Sequence, residues 1–251
     1  MKKYIVAVML IAFGILAVSS LVIAGVNPGT GIKSTSHDLS MATGKGATWA
    51  PNADPLLDRI CIYCHAPHNT LTTATASAAG IHYFPLWNHN LSTVASYTMY
   101  SNGTELPGSI QHQLNAVLTQ PGSTSKLCLS CHDGTIGISA YGFAGQTSSL
   151  GPTTGPKATG RILIGNNGDL SNHHPIGFAY APVAILDDEI KDPSSLLLGN
   201  NPYNLAINDI LWNGNVECTS CHDVHNTKNT GLKFLWVEDT NSNLCFSCHA
   251  K

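Results

Sequence analysis

Apolar residues are distributed very unevenly along this 251-residue chain. The one long run lies at the start, where Lys2-Lys3 precede an apolar stretch from Tyr4 to Val18 and a small-residue ending at Val22-Ile23-Ala24. That order of charge, apolar run and small residues predicts a secretory signal over residues 1–24, cleaved before Gly25. An uncleaved anchor is the alternative, because the stretch to Ala24 approaches the length needed to span a bilayer; the break at Ser19-Ser20 favours cleavage. No later segment is long and apolar enough to cross a membrane, so the expected location is outside the cytoplasm, extracellular or on the outer cell surface.

Beyond the signal, apolar positions come in short runs. Arg161–Ile164 and Phe178–Ile185 read as short strands or extended segments. Short helical turns are expected at Ser109–Leu118. The Ser/Thr/Ala/Gly-rich stretches Leu71–Gly80 and Gly145–Gly160 read as loops or surface coverings. Nothing divides residues 25–251, so a single domain is expected.

Candidate chemistry sits in the cysteines. All eight fall in four copies of one pentapeptide: Cys61-Ile-Tyr-Cys64-His65, Cys128-Leu-Ser-Cys131-His132, Cys218-Thr-Ser-Cys221-His222 and Cys245-Phe-Ser-Cys248-His249. Each is a c-type haem attachment site, in which both thiols add to the haem vinyl groups and the adjacent histidine ligates iron. Cys-x-x-Cys also builds zinc sites, redox dithiols and disulfide frameworks. Zinc knuckles, however, do not need a histidine after each pair, and here all four have one while no cysteine lies outside them. The expected cofactors are four covalently bound haem c groups, with helical turns around each motif.

This cofactor load changes the structural expectation. About 227 mature residues shared among four macrocycles leave too little chain for an ordinary core, so the haems themselves would supply the buried apolar surface. The predicted fold class is a multihaem cytochrome c, mostly coil and turns with short helices and a few short strands wrapped around a chain of haems. The formal charge of −3 becomes −5 when Lys2 and Lys3 leave. Haem propionates add to that acidity, which argues against a nucleic-acid partner. Sparse charge also lets large surfaces be desolvated at small electrostatic cost, as extensive subunit contacts require.

The sixth iron ligand decides the function, because an open position binds substrate whereas two strong ligands confine the haem to electron transfer. Of twelve histidines, four are proximal (His65, His132, His222 and His249). His37, His68, His82, His89, His112, His173, His174 and His225 remain as distal candidates. His68 follows His65 by three residues and His225 follows His222 by three. So short a link cannot reach around the macrocycle to its opposite face. His68 and His225 are therefore expected to ligate haems other than those attached beside them, tying macrocycles into close pairs. Trp49, Trp87, Trp212 and Trp236, with Tyr83 and Phe84, read as packing against haem edges.

At several of these points the chain resembles the filament-forming outer-surface tetrahaem cytochromes of metal-respiring bacteria. The resemblance covers most of the mature chain. It rests on Ser36-His37-Asp38-Leu39-Ser40, Cys64-His65-Ala66-Pro67-His68-Asn69, Pro85-Leu86-Trp87-Asn88 and Leu127-Cys128 through Asp133-Gly134. It continues through Asp169-Leu170-Ser171-Asn172-His173-His174-Pro175, Cys221-His222-Asp223-Val224-His225 and the closing Leu244-Cys245 to Lys251. It implies bis-histidine ligation throughout, with His37, His68, His174 and His225 distal; His174 is preferred to His173 because the family pattern is His-Pro. His82, His89 and His112 match no family ligand and are expected to meet solvent or propionates, and Met41 and Met99 are the less favoured substitutes for a histidine. Polymerisation is also implied, with His37, on a Gly/Ser/Thr-rich tether, as the candidate to ligate a haem of the adjacent subunit.

Three function classes follow. The first is a non-enzymatic, extracellular electron conduit: a homopolymeric filament passing electrons from other redox proteins to extracellular acceptors. A monomeric periplasmic or surface tetrahaem shuttle is the second. The third, a multihaem reductase, would need a five-coordinate iron, often marked by lysine replacing a proximal histidine, and none of the four motifs shows that.

Overall fold

The computed structural model describes residues 31–33, 35–39, 60–68, 70–101, 119–138, 140–142, 156–227 and 234–250. The signal segment, the expected turns at Ser109–Leu118, most of Gly145–Gly160, His112, Met41 and Trp49 lie outside them. Regular structure is short throughout. Six helices are described: α1 Thr73–Ala78, α2 Ser123–His132, α3 Tyr180–Leu186, α4 Ile207–Ile210, α5 Cys218–Cys221 and α6 Asn243–Cys248. Single 3-10 turns occur at Cys61–Tyr63, Gly160–Ile162, Asn166–Gly168 and Thr240–Ser242. The described sheet has two antiparallel strands, β1 Phe178–Ala179 and β2 Asn215–Val216, with Phe178 opposite Val216.

Two local expectations are corrected. Leu71–Gly80 is not all loop, because Thr72 caps α1: its Oγ1 accepts the Thr75 N–H at 3.2 Å, and the Ala/Thr segment that follows tolerates helix. Phe178–Ile185 is strand for two residues only and then turns into α3. Pro182 falls in the first helical turn, where its missing N–H has no partner to lose. Arg161–Ile164 contributes a 3-10 turn and extended chain but no strand.

Buried apolar residues form four small clusters rather than one core. Leu39, Tyr63, Ile138 and Tyr141 make the first; Leu71, Ala76, Ile81, Trp87 and Leu127 another; Tyr97, Leu129 and Leu170 a third. The largest gathers Tyr180, Leu197, Ile207, Ile210, Val216 and Val237. Each adjoins an attachment motif. Cys64 packs against the first two, Leu127 and Leu129 flank Cys128 on α2, and Cys248 packs against the largest. Contacts between elements are made chiefly where α2 meets α5, which brings the second motif against the third.

Candidate haem-binding site

Each pentapeptide folds as a helical turn. The i, i+3 spacing puts both thiols on one face. The chain then closes on the histidine: His65, His222 and His249 donate their backbone N–H groups to Cys61, Cys218 and Cys245 at 2.7, 3.1 and 3.0 Å. In α2 the pentapeptide is the last turn of the helix, which ends at His132.

Side-chain hydrogen bonds then orient the rings. His65 Nδ1 lies 2.6 Å from the Pro85 carbonyl, His132 Nδ1 2.8 Å from that of Ile162, and His174 Nδ1 2.9 Å from that of Pro175. A carbonyl only accepts, so Nδ1 carries the proton and the Nε2 lone pair is left free for a metal.

Three of the motif histidines face a histidine from elsewhere in the chain. Ring centres are 6.1 Å apart for His65 and His225, 6.1 Å for His37 and His132, and 6.4 Å for His174 and His249. Such separations are too long for ring contact. An iron about 2.0–2.1 Å from each of two nitrogens, each about 1.1 Å from its ring centre, sets the rings roughly 6.3 Å apart. The residues present therefore fit haem.

One orphaned polar atom adds to that fit. Trp87 is buried edge-on beside His65, with ring centres 6.1 Å apart, and its Nε1–H has no partner within the protein. A buried indole N–H costs free energy until it finds an acceptor. An acidic substituent of a macrocycle ligated by His65 would supply one.

His37 does not extend away from the body of its chain, where a tether to another subunit would place it. Gly31 donates its N–H to the Asn226 carbonyl at 3.0 Å and accepts from Asn226 Nδ2 at 2.7 Å, which pins the segment down. His37 then stacks on Phe234 at 4.7 Å, and Asp38 and Leu39 beside it are buried. The ring meets His132 of the same chain. Desolvation there, followed by the neighbouring His132, lowers His37 to about 4, so it is neutral at ordinary pH, the form that binds iron.

The thiols are buried and close to one another. Burial pushes Cys64, Cys131 and Cys221 up to about 12. Cys128 is raised chiefly because it donates to Cys218, which the same bond lowers. Thiols held protonated are poor zinc ligands, which need thiolate. Among the described residues no group of three or more His, Cys, Asp or Glu is arranged around a metal ion. Electrostatic proximity also links the motifs in space: Cys64 feels Cys131, Cys128 meets Cys218, and Cys221 feels Cys248. Cys61 and Cys245, at the two ends of that series, are exposed.

The other candidates separate clearly. His174, not His173, faces His249; His173 lies instead near Asp169. His68 and His222 are both exposed, and His222 lies within electrostatic reach of His37. His82 is exposed, whereas His89 departs from its expected solvent or propionate role. It is fully buried, with Nδ1 2.8 Å from the Asn90 carbonyl and Nε2 3.1 Å from that of Gly137, a structural histidine tying two loops. Trp236 is held by its Nε1–H donating to the Thr219 carbonyl at 2.8 Å, and Trp212 stacks on Tyr83 at 4.6 Å.

Sequence reasoning passed over the buried acids. Asp38, Asp133, Glu217 and Asp223 are all buried. A signal was present in the dipeptide His-Asp, which occurs at His37, His132 and His222.

A family model described as a doubled CXXCH motif matches residues 213–251, which hold the third and fourth pentapeptides. No curated protein matches the chain. The doubled motif, the mostly coil architecture and the ring pairs define a class: a multihaem c-type cytochrome, carrying covalently bound haem c. Members of that class transfer electrons and are carriers in the first instance rather than enzymes.

Proposed function

We propose that this protein is an exported tetrahaem cytochrome that polymerises into a haem-wired filament and carries respiratory electrons to acceptors outside the cell. The observation that carries the electron-transfer reading is the pairing of rings at 6.1–6.4 Å, each pair joining a motif histidine to a non-motif one. His65 with His225, His132 with His37 and His249 with His174 would hold three of the irons. His222 and His68 remain for the other, so the first and third haems exchange distal ligands through His68 and His225. When bound, each haem supplies a one-electron ferric/ferrous couple. The chain's own residues saturate every axial position and orient the imidazoles through the Pro85, Ile162 and Pro175 carbonyls, leaving no side chain to act as acid, base or nucleophile.

Support for polymerisation comes from the family resemblance, from the low charge density and from exposure at the ends of the motif series. Cys61 and Cys245 are exposed while the cysteines between them are not, so the outermost haems would open to neighbouring copies. His37 closes the second haem within its own chain, and the filament contact does not borrow it.

Cryo-electron microscopy of the mature protein, sheared from cells with complete haem maturation, tests the reading. Filaments with an unbroken line of four haems per subunit are expected. Discrete particles carrying all four haems would replace the filament with the soluble shuttle. A spectral change on adding carbon monoxide to the reduced protein would reveal an open iron and favour a reductase.

A further inference from the structure

The buried acids of the described residues are not spread evenly over the motifs. Asp133 follows His132, and Asp38 follows His37, the two histidines that face each other at 6.1 Å. Asp223 follows His222, and Glu217 precedes Cys218. The positions after His65 and His249 are Ala66 and Ala250. Among the described residues, every buried acid thus stands at the second or third motif.

Their hydrogen bonds identify ionised carboxylates. Asp133 accepts from Tyr97 Oη at 2.8 Å, from Thr135 Oγ1 at 2.7 Å, from the Thr135 N–H at 2.9 Å, and from Ser92 Oγ. Asp223 accepts from the Thr227 N–H at 2.7 Å and Thr227 Oγ1 at 2.9 Å. Glu217 accepts from the Gly122 N–H at 3.1 Å and from Ser125 Oγ, and Ser125 Oγ in turn accepts the Cys218 N–H at 2.9 Å. A carboxylate offers only lone pairs, and each set of donors answers it. None of them meets a basic side chain in a printed ion pair or hydrogen bond; Lys126, the cation nearest Glu217, donates to the Ala79 carbonyl instead.

Burial of a haem raises its potential, because the ferric form carries the extra charge and loses more hydration. The second and third haems, attached through unexposed cysteines, would therefore hold electrons more tightly than the outer pair opening at Cys61 and Cys245. In a wire that is a trap. We infer that the buried carboxylates, Asp133 and Asp38 foremost, are counter-charges that lower the potentials of the inner haems and keep them level with the outer ones. Their reach is visible on the protein itself: the Asp133 charge acts on Cys131, and the Glu217 charge acts on Cys218, each a haem attachment point. The inference rests on the electron-transfer reading above, but not on filament formation.

The test is spectroelectrochemical titration of the holoprotein, resolved into its four couples. Asp133→Asn keeps shape and removes one charge. Such a change beside an iron ligand shifts a one-electron equilibrium by roughly tenfold, which is about 59 mV. One couple of the four moves upward and three stay put. If Asp133→Asn does not mature, Asp38→Asn, beside the opposite ligand of the same haem, carries the same expectation. All four couples staying within a twofold change in equilibrium, with low-spin spectra intact, would overturn the proposal. Loss of filaments with the upward shift retained would instead count against polymerisation alone.

Discussion

Replacing His225 with Ala tests the ligand exchange between the first and third haems. The ring of His225 stands 6.1 Å from that of His65, within a few tenths of an ångström of the roughly 6.3 Å that two imidazoles on one iron require. No backbone movement is needed to close that site. Ligation by its own neighbour is excluded by reach: His225 is three residues from His222, and an extended link of that length spans only about 10 Å, too short to pass around a macrocycle and return to its axis. His225→Ala should therefore open one haem in four, converting about a quarter of the low-spin signal to high spin in magnetic circular dichroism or electron paramagnetic resonance. Which haem opens is decided by a double-mutant comparison. In a background without the first motif (Cys61, Cys64 and His65 all replaced by Ala), His225→Ala should add no high-spin signal, because its iron is already gone. In a background without the third motif (Cys218, Cys221 and His222 replaced), it should still add one haem. The opposite pattern would refute both the pairing and the geometric reasoning behind it.

His37→Ala should also open one haem, and the new high-spin signal should be as large in dilute monomer as in any assembly, since His132 of the same chain is its partner; a signal appearing only on polymerisation would contradict this. Trp87→Phe keeps the apolar ring and removes the unpartnered N–H, so it should shift the first haem's couple and the propionate bands of its resonance Raman spectrum while leaving coordination low-spin. Glu217→Ala strips the acceptor from Gly122 and Ser125 where α2 meets α5, and should lower holoprotein stability by about 2–3 kcal/mol in chemical denaturation. Stripping the haems should leave a chain without a cooperative thermal transition, because four small clusters do not make a core.

Much of the site was legible in the chain because it is written in covalent spacing. Cys-x-x-Cys-His needs one helical turn, and a turn forms wherever the surrounding residues allow it, so the motifs folded as read. The reach argument for His68 and His225 used only the length of a three-residue link. What spacing does not encode is which distant segment returns to which iron. His37 is the instructive case: the Gly/Ser/Thr-rich tether allowed either direction, and the choice is made by Gly31 bonding to Asn226 and by the Phe234 ring, about two hundred residues away. His89 was missed for a related reason, since its burial depends on the Asn90 and Gly137 carbonyls converging on one ring. Leu71–Gly80 failed on local grounds, its Thr72 cap outweighing a loop-like composition.

The division of labour in the fold follows from these particulars. Chain that would ordinarily build a core is spent on turns that present thiols and imidazoles, and the little regular structure present is placed where two attachment sites meet, α2 against α5. At that junction Glu217 binds the first turn of α2 while its neighbour Cys218 receives the Cys128 hydrogen bond. A single buried carboxylate thus positions two attachment points relative to each other and places a negative charge between them. Spacing of the cofactors and tuning of their potentials would in that case be set by the same residue. A substitution there should disturb both together, whereas Asp133, which bonds only Ser92, Tyr97 and Thr135, should disturb the potential with little change in spacing.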